Sequence, residues 1–151
     1  MSDFLGIDTS NYTTSAAIYE SPHNVLLQEK MLLPVKKGEK GIRQSDAVFH
    51  HTVQLPEIID KLFKKTGKRD ISAVGVSYAP RRLEGSYMPC FLTGISAATA
   101  VSRALSVPLY RFSHQEGHIA AALYSAGRLE LLNEPFIACL LYTSPSPRDC
   151  S

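Results

Sequence analysis

Two histidines in the stretch Ser113-His114-Gln115-Glu116-Gly117-His118 have the type and spacing to do chemistry. Residues four apart on a helix lie one above the other on one face, so their imidazoles converge. Each neutral ring offers one nitrogen lone pair, and two such rings make up part of a metal site. An ion held there needs further ligands from elsewhere, whether its geometry is tetrahedral or octahedral. The run Ile119-Ala120-Ala121-Ala122-Leu123 supports a helix through this point. Ser113 and Glu116 fit a Ser-x-x-Glu capping box, which puts both histidines in the first helical turn, beyond a strand end. Gly117 costs about 1 kcal/mol relative to alanine in a helix and so suits a close approach. The competing reading is a pair of polar residues at an exposed helix start. A zincin is not implied, because that pattern needs Glu directly after the first histidine, where Gln115 stands.

Alternating strands and helices must position this stretch. Phe4 to Thr9 reads as a buried strand ending in polar residues, and Ser10-Asn11-Tyr12 supplies turn chemistry. Thr13 to Tyr19 reads as the returning strand, and Val25 to Leu33 as a third. A polar loop around Lys36, Lys37 and Lys40 reads as solvated. Val48, Thr52, Leu55, Ile59 and Leu62 then recur at helical spacing, with Lys61, Lys64 and Lys65 ahead of Gly67 as a C-terminal signal. Pro56 is expected to kink that helix or split it in two. His50 and His51 lie about 100° apart on it and cannot share a site, so both read as structural.

Ile71 to Ser77 has the nearly continuous apolar character of a central parallel strand. Its exit loop carries Arg81 and Arg82, which suit a carboxylate or phosphate as well as they suit solvent. Pro89 fits a first helical position, and Phe91, Leu92, Ile95, Ala98 and Leu105 form the expected apolar face. Gly94, Ala97, Ala98 and Ala100 allow close backbone packing. Cys90 reads as a small buried residue, since no base can be assigned beside it. Val107 to Phe112 is the fifth strand, delivering Ser113 and the histidine helix. Gly127 can cap that helix, and Glu134 to Ala138 begins another strand. The succession implies an α/β architecture with a mixed sheet and flanking helices.

A chain of 151 residues with 44% hydrophobic and 20% charged residues fits one domain with a substantial core. Sixteen basic against fourteen acidic residues leave a net charge of +2, too little to mark a nucleic-acid surface. No apolar run approaches the roughly 20 residues of a membrane span, and the first residues lack a signal-peptide pattern. Cys90, Cys139 and Cys150 form no disulfide or ligand pattern, so a reduced cytoplasmic setting is expected. After Ala138 the composition changes abruptly to CLLYTSPSPRDCS. Residues 139–151 therefore read as a foreign or disordered tail behind a domain spanning 1–138.

Ser-His-Gln-Glu-Gly-His before an alanine-rich helix resembles the His-Met-Glu-Gly-His metal motif of the TsaD family. Its members are tRNA threonylcarbamoyladenosine synthases, earlier described as O-sialoglycoprotein endopeptidases or glycoproteases. Asp8-Thr9-Ser10 matches the family's Glu-Thr-Ser at the first strand end, and the likeness runs from Phe4 to about Ala138. The resemblance implies a ribonuclease-H-like N-terminal lobe of the actin/hexokinase superfamily. It implies transfer of a threonylcarbamoyl group from its adenylate to N6 of an adenosine beside the tRNA anticodon. It also implies one divalent ion, iron or zinc, on His114 and His118. A nucleotide or acyl-adenylate would lie against Asp8, Thr9 and Ser10 in the intact two-lobe protein, and Arg81 and Arg82, by their own chemistry, are the candidate grip for its carboxylate or phosphate. The partners implied are tRNA and TsaB- and TsaE-like proteins, with no membrane.

Two departures from the family point to a divergent paralogue. Asn11-Tyr12-Thr13-Thr14 stands where Cys-Asp-Glu-Thr is typical, and a longer loop through Arg81 to Pro89 replaces a short Gly-Pro-Gly-Leu turn. The alternatives are another metal- and nucleotide-dependent carbamoyl or phosphoryl transferase, or a binding paralogue without catalysis. A metalloendopeptidase ranks last.

Overall fold

The computed structural model describes residues 2–21, 23–34 and 41–133. The lysine loop at 36–40, the strand expected at 134–138 and the tail at 139–151 lie outside the described residues. The chain divides into two compact units, 1–114 and 115–151.

The first unit is built on five strands: β1 (Ser2–Asp8), β2 (Thr13–Ser21), β3 (Val25–Leu32), β4 (Ile71–Ala79) and β5 (Leu109–Ser113). Their spatial order is β3-β2-β1-β4-β5. β1, β2 and β3 form an antiparallel meander, while β1 and β4, and β4 and β5, run parallel. β4 therefore has a parallel neighbour on each side, the position its apolar character implies.

Alternation along the strands selects the buried face. Leu5 and Ile7 of β1, Ala16 and Ile18 of β2 and Val74 and Val76 of β4 form one core. Helix α1 (Gln44–Thr66) closes this core with Leu55, Ile58 and Leu62, and helix α2 (Leu92–Leu105) adds Ala98. A smaller cluster of Leu33, Ala47, Cys90 and Phe91 packs beside it.

α1 is one uninterrupted helix of 23 residues with Pro56 inside it, and it is not split. Pro56 lacks an N–H for the Thr52 carbonyl, but both residues stand on the exposed face, where water can serve that oxygen. Ala47, His51, Gln54, Leu55, Ile58 and Leu62 hold both halves of the helix to the sheet. The buried stripe is thus rotated from the expected one: Thr52 is exposed, and polar His51 and Gln54 take core positions. Pro89 opens a single 3₁₀ turn, Pro89–Phe91, ahead of α2. Leu92 and Leu105, expected on the apolar face of α2, are 46% and 50% exposed. Gly94, Ala98 and Ser102 are the residues α2 buries, and at Gly94 a Cβ would already crowd Ile7 of β1 and Val76 of β4 at 3.4 Å.

β5 begins later than the sequence suggests. Ser106, at φ 56°, ends α2, and Val107 N–H reaches back to Ser102 O at 2.9 Å, so Val107 belongs to the helix cap. Helix α3 (His114–Ser125) starts directly after β5 and carries the chain into the second unit. Gly127, at φ 68°, closes α3 with a paired cap: Gly127 N–H to Tyr124 O at 3.1 Å and Arg128 N–H to Leu123 O at 2.8 Å.

A candidate site where the first strand meets the histidine helix

Asp8 is the last residue of β1, and Ser77 lies beside it near the end of parallel β4, where Ile7 pairs with Val76. The Ser77 hydroxyl donates to Asp8 Oδ2 at 2.7 Å, and Ser10 N–H turns back to donate to Asp8 Oδ1 at 2.8 Å. His114, first residue of α3, brings Nδ1 within 2.9 Å of Asp8 Oδ2 and 2.8 Å of Ser10 Oγ. The two side chains of this pair are mostly buried, His114 19% and Asp8 25% exposed. Burial works to raise the Asp8 carboxyl. The hydrogen bond and charge of His114, with the Ser10 and Ser77 hydrogen bonds, outweigh it and bring Asp8 down to about 2.

An ionised carboxylate only accepts, so the His114 nitrogen facing Asp8 carries a proton. In the neutral ring the lone pair then sits on Nε2. This excludes a serine-hydrolase relay of Ser10, His114 and Asp8. Such a relay needs Ser and Asp on opposite ring nitrogens, whereas here both meet Nδ1. Cys90 is no better a nucleophile, because it is fully buried and its burial pushes the thiol up.

Thr9 faces the other way. It is fully buried, donates from Oγ1 to Cys90 O at 2.9 Å and accepts from Gly94 N–H at 3.1 Å. Asn11 follows in a left-handed conformation at φ 47°, and its carbonyl accepts from His51 Nε2 at 3.2 Å. His51 is fully buried, and its Nδ1 meets Thr14 Oγ1 at 2.7 Å. Gln54 accepts from Thr14 at 2.9 Å and donates to Leu32 O at 3.0 Å. α1 thereby grips the β1–β2 turn and the end of β3. Burial lowers the His51 imidazole from its ordinary value.

Arg81 and Arg82 are exposed on the loop that leaves β4. Arg82 Nη2 donates to Arg111 O at 3.3 Å, and Ser86 Oγ donates to Arg81 O at 2.7 Å. His118 stands one turn beyond His114 on α3. Among the described residues no group of three or more His, Cys, Asp or Glu side chains is gathered for an ion.

The family model for TsaD, tRNA N6-adenosine threonylcarbamoyltransferase, matches residues 25–143. The chain belongs to the TsaD family. The TsaD relative from Carboxydothermus hydrogenoformans, a tRNA N6-adenosine threonylcarbamoyltransferase, is 31% identical over 146 residues, covering 96% of this chain and 41% of that protein. The Bacillus subtilis protein of the same description is 32% identical over 120 residues, covering 78% and 33%. This TsaD-family chain thus spans well under half the length of these curated relatives. Among solved structures, YeaZ from Pseudomonas aeruginosa matches with TM-score 0.59 at 18% identity, covering 84% of this chain and 50% of YeaZ. The fold is ribonuclease-H-like, of the actin/hexokinase type, with the mixed five-stranded sheet described above.

In this TsaD-family chain the structure brings together Asp8, Ser10 and His114 from the residues singled out by sequence. It turns the Thr9 hydroxyl inward and places Arg81 and Arg82 on a separate exposed loop. Ser77 and the His51–Thr14–Gln54 cluster were not singled out as site residues. Ser77 had one signal, a polar residue at the carboxyl end of the strand parallel to β1. The cluster had none, since His51 is 37 residues from Thr14 and reads as a polar helix position.

Proposed function

We propose that this chain is the N-terminal lobe of a TsaD-type enzyme that transfers a threonylcarbamoyl group to N6 of an adenosine in tRNA, next to the anticodon. The observation that carries the reading is the meeting of Asp8 and Ser10 with His114 at the carboxyl ends of β1 and β4. Ligands of open α/β sheets gather at that end. His114 and His118 hold one divalent ion, iron or zinc. The donor set fits such an ion, because a ring whose Nδ1–H is bound to a carboxylate is the form in which histidine ligates through Nε2. When bound, the ion supplies Lewis-acid polarisation of the acyl carbonyl and phosphate. The Asp8–Thr9–Ser10 turn borders the adenylate, Arg81 and Arg82 pair with its carboxylate or phosphate, and TsaB- and TsaE-like proteins are the partners.

The chain alone is expected to be inert. Acyl transfer relies on donors enclosing the developing oxyanion and the leaving phosphate with water excluded, and one strand-end turn with two histidines cannot enclose both. Expressing the full-length parent in cells depleted of their own TsaD, then measuring threonylcarbamoyladenosine in digested tRNA by mass spectrometry, tests the reading. Restored modification that disappears with His114→Ala supports it. No restoration from a folded protein with compatible partners favours a different carbamoyl or phosphoryl transferase, or a non-catalytic paralogue. The specific ground for that second reading is Asn11-Tyr12-Thr13, which leaves the turn without acids after Asp8. A peptidase is disfavoured by the shared Nδ1 contact and by Gln115.

A further inference from the structure

We propose that Asp8 is a positioning residue: it fixes His114 in the Nδ1–H tautomer so that Nε2 is the nitrogen presented to the divalent ion. The inference rests on the metal role given to His114 above, and it gives Asp8 a task other than touching substrate. The geometry of the carboxylate carries it. Oδ1 accepts from Ser10 N–H at 2.8 Å, and Oδ2 accepts from the Ser77 hydroxyl at 2.7 Å and from His114 Nδ1–H at 2.9 Å. Three donors from three separate elements saturate most of what two carboxylate oxygens can accept. An oxygen already held by Ser77 and His114 is poorly placed to bind an ion or a substrate hydroxyl as well.

Each donor is anchored independently. Ser77 is set by the parallel pairing of β4 with β1, and Ser10 N–H by the turn at the strand end. His114 is set by the start of α3 directly after β5. Ser10 Oγ, 2.8 Å from Nδ1, sits at the same side of the ring and offers an oxygen lone pair to the same N–H. A histidine held on one side by a carboxylate and a hydroxyl has its ring plane and its proton fixed before any ion arrives. This is the role that outer carboxylates play for metal-binding histidines.

The Ser10 backbone N–H makes the test asymmetric. In Asp8→Asn the amide oxygen must take the Oδ1 place, because Ser10 N–H requires an acceptor. The amide nitrogen then faces His114 Nδ1 and donates to it. The expected result is an inverted tautomer, with the proton on Nε2 and no lone pair left for an ion. In Ser77→Ala the Asp8–His114 bond remains, and the tautomer should stay as it is.

The experiment is ¹⁵N NMR of the His114 ring in the 151-residue chain at a pH above the imidazole titration, paired with Zn²⁺ titrations of the same samples. The native ring should show Nδ1–H, Asp8→Asn should show Nε2–H, and Zn²⁺ affinity should fall roughly 10- to 100-fold in Asp8→Asn. A native ring protonated at Nε2 overturns the proposal without any variant, which covers the case that Asp8→Asn fails to fold. An unchanged tautomer in folded Asp8→Asn also overturns it. Inversion without Zn²⁺ binding by the native chain upholds the positioning contact and counts against the metal role instead.

Discussion

Asp8 shows how a single carboxylate can be worth more to the fold than its exposure suggests. Its folded-state value is about 2, against 3.8 for an unconstrained carboxyl. The folded form therefore binds the proton more weakly than the unfolded form. The resulting stabilisation is fully present above about pH 4 and is lost as pH falls from 3.8 towards 2. The difference corresponds to roughly 2 kcal/mol. Acid titrations followed by circular dichroism should show stability falling through that window in the native chain. In Asp8→Asn the fall should be shallower and the stability at neutral pH lower by a similar amount. An identical acid limb in both proteins would show that Asp8 is not a source of the pH dependence.

At the scale of elements, the close approach of α2 to β1 and β4 decides how Thr9 is held. A Cβ on Gly94 would stand 3.0 Å from Thr9 Oγ1 and 3.4 Å from the Cγ2 atoms of Ile7 and Val76. Thr9 cannot yield, because its hydroxyl is bonded on both sides and it is fully buried. Gly94→Ala should therefore lose about 1–3 kcal/mol to overpacking, more than the roughly 1 kcal/mol that alanine gains in helix propensity. Gly117, in α3, has nothing among the described residues within 4 Å of its would-be Cβ, so Gly117→Ala should be neutral or stabilising by up to about 1 kcal/mol. The thermal melt of Gly94→Ala should fall, and that of Gly117→Ala should hold or rise. A stabilised Gly94→Ala would mean that the strand-end turn has more room than the packing indicates. The same logic of mutual fastening governs α1, where His51 and Gln54 hold the β1–β2 turn by its Asn11 carbonyl and Thr14 hydroxyl.

For the whole molecule, the TsaD relatives are more than twice as long as the part this chain covers, 41% in the Carboxydothermus protein. No helix among the described residues is long and apolar enough to cross a membrane. The composition break after Ala138 gives the molecule-scale test. A chain ending at Ala138 should melt at the same temperature as the chain of 151 residues, since 139–151 offers little to bury beyond Leu140, Leu141 and Tyr142. A drop of several degrees on removal would assign the tail to the fold.

Period and punctuation in the sequence determined the five strands and the helix order. The apolar run of β1, the Ser10-Asn11-Tyr12 turn, the apolar run of β4 and the Gly67 and Gly127 stops are local signals that neighbouring residues set. The histidine spacing and the Asp8-Thr9-Ser10 strand end were legible for the same reason. What only the tertiary structure decided is which polar groups meet. Asp8 and His114 are 106 residues apart, Thr9 and Cys90 81, and Thr14 and His51 37. No local pattern encodes such pairings. They arise because parallel β1 and β4 bring their carboxyl ends level, and because a buried hydroxyl, imidazole or amide must find a partner once water is excluded. The same requirement placed His51 and Gln54 on the core face of α1 against the apolar period, and it left Pro56 harmless on the opposite face.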